Sequence, residues 1–303
     1  MKKDLRFYSD IGHFKNDDNL FTYILGKKYN LIIDNKTPEL AIIDNRKFDS
    51  AINIRYSGEV DTRMFDCQYC ITPLYMNDSK YITMNIHQAH VYEMIRLGFA
   101  TFDTFFKKKN FTKDILKEKT NFVCFMYLHQ SEPRDTFFQK LSTYKKVDSP
   151  GQRFNNVKRL NYNSSHGNYA TGHLFSQEKR SYIKSYKFVF AFDSYYPNEA
   201  ANGLVGQSTE KIIDPYITNN IPLYWGNPHV SDYFNTKSMI NYYKHTNKYY
   251  DEYILDLMLQ DVIDMDNNDD MYINMLNENA IDENQWNDKI DEYLEIFEKI
   301  IGF

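Results

Sequence analysis

Cysteine is scarce here, with three residues in a chain of 303. Three thiols in that length do not make a disulfide framework, and a reducing compartment is the expectation. Tryptophan is scarcer still, two against 26 Tyr and 22 Phe. With Asn and Lys abundant, that imbalance fits codon bias in an AT-rich genome, so the aromatic richness carries no argument for ligand stacking. Long apolar runs are missing as well. No stretch approaches the roughly eighteen uninterrupted apolar residues of a membrane span, so none is expected. The opening MKKDLRFYSDIGHF has two lysines but no apolar segment behind them, unlike a secretory signal. Positive charge is not in excess: 36 Lys and Arg face 41 Asp and Glu, for a net charge of −5. A nucleic-acid partner would ordinarily demand a basic patch. A soluble, cytoplasmic protein without stable membrane insertion is expected.

What is present alternates. Arg6 to Tyr8, Leu31 to Ile33, Leu40 to Ile43 and Ile52 to Tyr56 are short apolar runs of strand type. Leu20, Phe21, Ile24 and Leu25 recur at helical spacing up to Gly26. A new buried strand follows at Asn121 to Leu128, NFVCFMYL, and then Pro133 in the first turn of a helix carrying Phe137, Phe138 and Leu141. Strands alternating with helices predict doubly wound α/β sheets, and the length favours two domains. We place the boundary ahead of Asn121, giving domains 1–118 and 119–303. Residues 248–263 and 285–301 read as amphipathic helices, the second with Trp286, Ile290, Leu294, Phe297 and Ile301 on one face.

The densest signal lies between Tyr186 and Gly226. Phe188 to Phe192 forms a buried strand, a polar loop follows, and Ser208-Thr209 offers a helix cap ahead of Glu210, Lys211, Ile212 and Ile213. A second apolar run, Ile221 to Trp225, ends at Gly226. This is a βαβ unit with its loop at the carboxyl end of a strand, where ligands of open α/β sheets bind. Lys211 sits in a first turn whose dipole prefers anions, which makes sense if an anion lies between it and the exposed N–H groups. Arg134 shows the same polarity at its own helix start. The pattern alone is equally that of an ordinary crossover with a solvated Glu-Lys pair and a surface arginine.

STEKIID followed by IPLYWG resembles the donor-binding signature of the α-1,3/4-fucosyltransferases, roughly YVTEKIxxA and IPIYWG, and YKFVFAFDS is similar to their YKFxLxFEN strand. IRYSGEVDTRMFDCQYCI resembles a second segment of that family, YTGEN followed by NFxxxDYxI, and NPHVSDYFNTKSMINYY extends the match beyond Gly226. The resemblance covers about two-thirds of the chain. It implies two Rossmann-like domains facing a central cleft, the GT-B type of glycosyltransferase, and an inverting transfer of L-fucose from GDP-fucose. By this likeness Glu59 is the general base, Arg134, Lys211, Gln207, Ser208 and Asp193 belong to the donor site, and Glu210 is the second catalytic carboxylate, which contacts the fucose or stabilises its developing charge. Cationic side chains take a metal's place, so no metal or other cofactor is expected. The acceptor is an oligosaccharide, with O3 of GlcNAc expected by family analogy alone. A same-fold transferase using another nucleotide sugar and a catalytically silent glycan- or nucleotide-binding module stay open.

Several residues depart from the family's pattern. Val60 replaces an Asn, Gln207 replaces a Tyr, Phe192-Asp193-Ser194 stands for FEN, and the Asn expected ahead of Arg134 is missing. Pro215 enters the helix after STEKII, where a proline can kink it. Other motifs carry less. Cys67 and Cys70 form a C-x-x-C without the second pair a zinc site needs, and read as structural. His87 and His90 read as surface histidines, Lys107 to Lys109 as a solvated turn, and Asp264 to Asp270 as an acidic surface turn, since an EF-hand would need Gly where Asp269 stands.

Overall fold

A computed structural model describes residues 2–11, 14–44, 47–57, 63–160, 177–194 and 208–302, apart from the side chain of Ile86. Glu59, Gln207 and the loop between Ser194 and Gln207 lie outside the described residues. The chain divides into two compact units, Met1–Gly98 with Glu283–Phe303, and Phe99–Asp282.

Unit 1 is built on a six-stranded sheet in the order β2-β1-β3-β4-β5-β6, parallel throughout. Its strands are β1 (Lys3–Asp10), β2 (Tyr29–Ile33), β3 (Leu40–Ile43), β4 (Ile52–Tyr56), β5 (Tyr69–Thr72) and β6 (Tyr81–Thr83). Helix α1 (Leu20–Gly26) buries Leu20, Phe21, Ile24 and Leu25, and Asn19 caps it, accepting hydrogen bonds from the N–H groups of Phe21 and Thr22. Helix α2 (Ile86–Arg96) runs through the interior. His87 and His90 are each 1 % exposed, so they are not surface histidines; they lie on a helix that also buries Ala89, Val91 and Met94.

Unit 2 carries a five-stranded parallel sheet, β11-β10-β9-β7-β8. Its elements in chain order are α3 (Phe102–Phe106), β7 (Asn121–Cys124), α4 (Glu132–Tyr144), β8 (Val147–Asp148), α5 (Gln177–Ile183), β9 (Tyr186–Phe192), α6 (Ile213–Ile217), β10 (Ile221–Trp225), β11 (Ile240–Asn241), α7 (Glu252–Asp266) and α8 (Asp269–Leu276). β9 and β10 are central, and of their twelve residues only Lys187 is not buried, as expected of parallel strands covered on both faces. Their inward rings interlock with those of α4: Phe137 stacks on Phe192 with centroids 5.3 Å apart, and Phe192 meets Trp225 at 6.0 Å.

Two expectations of organisation change. The compact units part at 98/99, so the boundary expected at 118/119 falls inside unit 2. The last helix, α9 (Glu283–Ile301), belongs to unit 1. It buries Trp286, Ile290, Tyr293 and Phe297, a 4-3-4 spacing that makes one stripe, whereas Leu294 is only half-buried. Phe297 meets Phe21 of α1 at 6.1 Å, Tyr293 donates to Gln88 Oε1 at 2.7 Å, and Lys27 and Lys28 pair with Asp291 and Glu298.

The charged turns are also less solvated than their composition suggests. Lys109 donates to Asn219 Oδ1 at 2.9 Å, and burial pulls its ammonium down to about 8. Asp266 at the end of α7 accepts from Lys187 at 2.9 Å and Lys145 at 3.0 Å. Burial would raise that carboxyl; the two lysines outweigh it and hold it below the ordinary range. Pro215 is the third residue of α6, where its missing N–H is among those a first turn leaves unpaired anyway, so it need not kink the helix.

Candidate active site

Strands β7, β9 and β10 are adjacent and parallel, so their carboxyl ends share one edge of the sheet. Every candidate residue that the structure describes follows one of these strands, and the side chains meet around Asp193.

Asp193 directly follows β9 and is 1 % exposed. Its Oδ1 accepts from the Thr209 N–H at 3.2 Å and from the Thr209 hydroxyl. Its Oδ2 has no hydrogen-bond partner among the described residues and lies against Gly226. A Cβ at position 226 would approach Asp193 Cβ to 2.8 Å, which is why the β10 run ends on glycine. Burial pushes the Asp193 carboxyl up to about 7; Lys211, Thr209 and Arg134 oppose that rise, and Glu210 adds to it.

Thr209 also caps the short 3-10 turn Glu210–Ile212, accepting from the Lys211 N–H. The Lys211 ammonium reaches Thr209 Oγ1 and Glu210 Oε1, each at 3.3 Å. The side chains of Lys211 and Glu210 stay 24 % and 25 % exposed, enough to meet a ligand. Ser208 is fully buried. Its hydroxyl shares a hydrogen with the Tyr224 hydroxyl at 2.9 Å, and Tyr224 accepts from the Asn227 N–H at 2.8 Å. The start of the 3-10 turn and the loop after β10 are thereby tied through one buried phenol.

Arg134 enters from the first turn of α4 and is 5 % exposed, not a surface arginine. Its Nε donates to the Phe192 carbonyl at 3.2 Å and its Nη2 to Ser194 Oγ at 3.3 Å. The guanidinium lies 4.3 Å from the Tyr127 ring centroid. Asp135 beside it takes a two-pronged pair from Arg153, the shortest bond 2.6 Å. Arg134 and Lys211, from separate elements, thus bring two fixed cations to bear on the same carboxyl. That is a charge arrangement suited to an anion.

Sequence reading missed Tyr127, Tyr224 and Asn227. The first two sit in the apolar runs NFVCFMYL and IPLYWG, which read as core, and nothing local separates a phenol that fills space from one that bridges two loops. Among the described residues no three His, Cys, Asp or Glu side chains cluster so as to hold a metal ion. Likewise, no helix of the described residues is long and apolar enough to cross a membrane.

No protein-family model matches the chain. A provisionally named fucosyltransferase of Acanthamoeba polyphaga mimivirus is 27 % identical over 253 residues, 81 % of this chain and 36 % of its own length. An α-(1,3)-fucosyltransferase of Helicobacter pylori is 26 % identical over 97 % of this chain and 62 % of its own length. The chain is related to the fucosyltransferases. It spans less than two-thirds of the length of either relative. Crystal structures of an α1,3-fucosyltransferase share its fold: one with GDP-fucose at a TM-score of 0.67 and 20 % identity, one with GDP at 0.65 and 19 %. Each match covers all of this chain and 92 % and 91 % of the solved one. The two parallel-sheet units are therefore those of the GT-B type. STEKIID is the segment that here places Thr209 on Asp193 and aims Lys211 and Glu210 outward.

Proposed function

We propose that this chain is an inverting, metal-independent glycosyltransferase that moves L-fucose from GDP-fucose to a hydroxyl of an acceptor glycan, in α-1,3 linkage to O3 of GlcNAc. The observation that carries the reading is the pair of cations, Arg134 and Lys211, acting on one point at the carboxyl ends of β7 and β9, with the half-open Glu210 beside them. The relationship to fucosyltransferases supplies the donor.

Alcohols are poor nucleophiles at neutral pH, so the acceptor hydroxyl needs a base, and Glu59 takes that proton in our scheme. The acceptor oxygen then attacks the anomeric carbon from the face opposite the nucleotide. The bond from that carbon to the diphosphate breaks, and GDP leaves with its growing negative charge met by Arg134 and Lys211. Glu210 faces the sugar and offsets the positive charge that develops on it. Gln207 completes the donor contacts. Asp193 and Ser208 act from behind, bracing Thr209 and the loop after β10.

The test is nucleotide release under EDTA, GDP from GDP-fucose and GDP-mannose and UDP from UDP-sugars. Selective turnover of GDP-fucose is expected, falling about 100-fold or more in Lys211→Ala and Glu210→Ala. With an acceptor supplied, Glu59→Gln should abolish transfer. GDP binding without turnover on any acceptor would leave a silent nucleotide-binding module. Absence of guanine-nucleotide binding would overturn the assignment.

A further inference from the structure

Pairing between β7 and β9 stops at Cys124 opposite Val189, yet β9 runs on to Phe192. Beyond that point no strand among the described residues pairs with β9 on that side. Asp193 still donates its N–H to Trp225 of β10 at 2.8 Å, so the alternation of a strand turns the N–H and C=O of Phe192 the other way, toward that side. There the Phe192 N–H, directly ahead of Asp193, would have no partner among the described residues, and its carbonyl would have Arg134 Nε alone. Tyr127 serves both groups. Its hydroxyl accepts from the Phe192 N–H at 2.9 Å and donates to the Phe192 carbonyl at 3.0 Å. The same carbonyl accepts from Arg134 Nε, and the same Tyr127 ring lies under the guanidinium.

One side chain therefore touches both the strand end that sets Asp193 and the cation of α4. It is itself held. The Gln152 and Arg153 N–H groups donate to the Tyr127 carbonyl at 3.1 and 2.9 Å, and a Cβ on Gly151 would come within 2.7 Å of that oxygen. The segment after β8 is thus packed onto Tyr127 from behind, and Arg153 continues from it to Asp135 of α4.

We propose that Tyr127 is a positioning residue for the donor diphosphate: it stands in for a pairing strand and fixes Arg134 relative to Asp193 and the Thr209 turn. This rests on the functional reading above. It also makes a claim of its own, because a residue that only filled the core would affect all ligands alike. Arg134 meets the diphosphate and not the nucleoside, so loss of its positioning should show in GDP and not in guanosine.

The experiment is calorimetric binding of GDP and of guanosine, under EDTA, to the full chain and to Tyr127→Phe, Arg134→Met and the double variant. Tyr127→Phe keeps the ring and removes only the hydroxyl, so folding should survive; circular dichroism and the thermal midpoint verify it. Should Phe fold poorly, Tyr127→Leu/Arg134→Met against Arg134→Met alone asks the same question. The expected result is GDP weakened about tenfold by Tyr127→Phe, guanosine unchanged, and no further loss on adding Tyr127→Phe to Arg134→Met. Equal weakening of both ligands, unchanged GDP affinity, or additive losses would overturn the positioning role and leave the function standing. Failure of the unaltered chain to bind GDP would overturn the function and this role with it.

Discussion

Replacing Asp193 by Asn isolates one ionisation at the centre of the site. The carboxyl is buried, Oδ1 is held by Thr209, and Oδ2 lies against Gly226 with no hydrogen-bond partner among the described residues. Burial raises it from 3.8 to about 7 in the folded chain. Between those values the folded state holds a proton that the unfolded state has lost, so stability falls as pH rises. The contribution is complete below about pH 4 and is gone once pH passes through the folded value near 7. Relative to a neutral side chain, the ionised group then costs about 4 kcal/mol, at about 1.4 kcal/mol for each pH unit crossed. Asparagine keeps an acceptor for Thr209 and cannot ionise. Urea denaturation of both proteins from about pH 5 to about pH 8 gives the difference curve, in which every other titrating group cancels. The original protein should lose about 2–3 kcal/mol more than Asp193→Asn over that window. Parallel curves would show that Asp193 ionises as easily folded as unfolded, and the buried-acid description would be wrong.

Three further outcomes follow from the packing. Gly226→Ala drives a methyl group into Asp193 and should cost about 1–3 kcal/mol in urea unfolding; an unchanged midpoint would mean the two backbones are not so close. Phe297→Ala empties the contact between α9 and α1 and should cost about 3–5 kcal/mol, with faster hydrogen exchange at Phe21 and Ile24; normal exchange there would place the helix elsewhere. Lys119 is 5 % exposed, donates to the Lys184 and Thr218 carbonyls, and burial pulls its ammonium down to about 7. Here the folded chain has lost a proton that the unfolded chain keeps. The stability of the original over Lys119→Met should therefore rise from about pH 7 to about pH 10, opposite in sense to Asp193, and a flat difference would refute it.

Local chemistry was legible wherever the fold keeps it local. Apolar runs of strand length became strands, Pro133 opened α4, and the Thr209 cap lies in the STEKIID segment that was read as a helix start. Arg134 was singled out by its polarity at a helix start, and its burial beside Phe192 could not be seen there. What stayed hidden depends on which distant surface an element meets. The α9 stripe announces a buried face but not whose, and hydrophobicity cannot distinguish one apolar sheet from another. His87 and His90 read as polar surface because helices are ordinarily covered on one side only, and α2 is covered on nearly all. Tyr127 and Tyr224 look like core aromatics because their hydroxyl partners come from segments far along the chain.

The helix that closes unit 1 is encoded after all of unit 2. Residues 99–282 are one continuous stretch, so that unit is complete as soon as they have been made. Unit 1 is not: Leu20, Phe21 and the rest of its early apolar set wait for Trp286, Ile290, Tyr293 and Phe297. During synthesis the first sheet to emerge is thus the last to be sealed, with an apolar face exposed to whatever is nearby while almost two hundred further residues are added. A chain cut between Asp282 and Trp286 keeps the whole five-stranded sheet and loses the cover of the other, so termination there should produce aggregation through unit 1 and not through the site that carries Arg134 and Lys211.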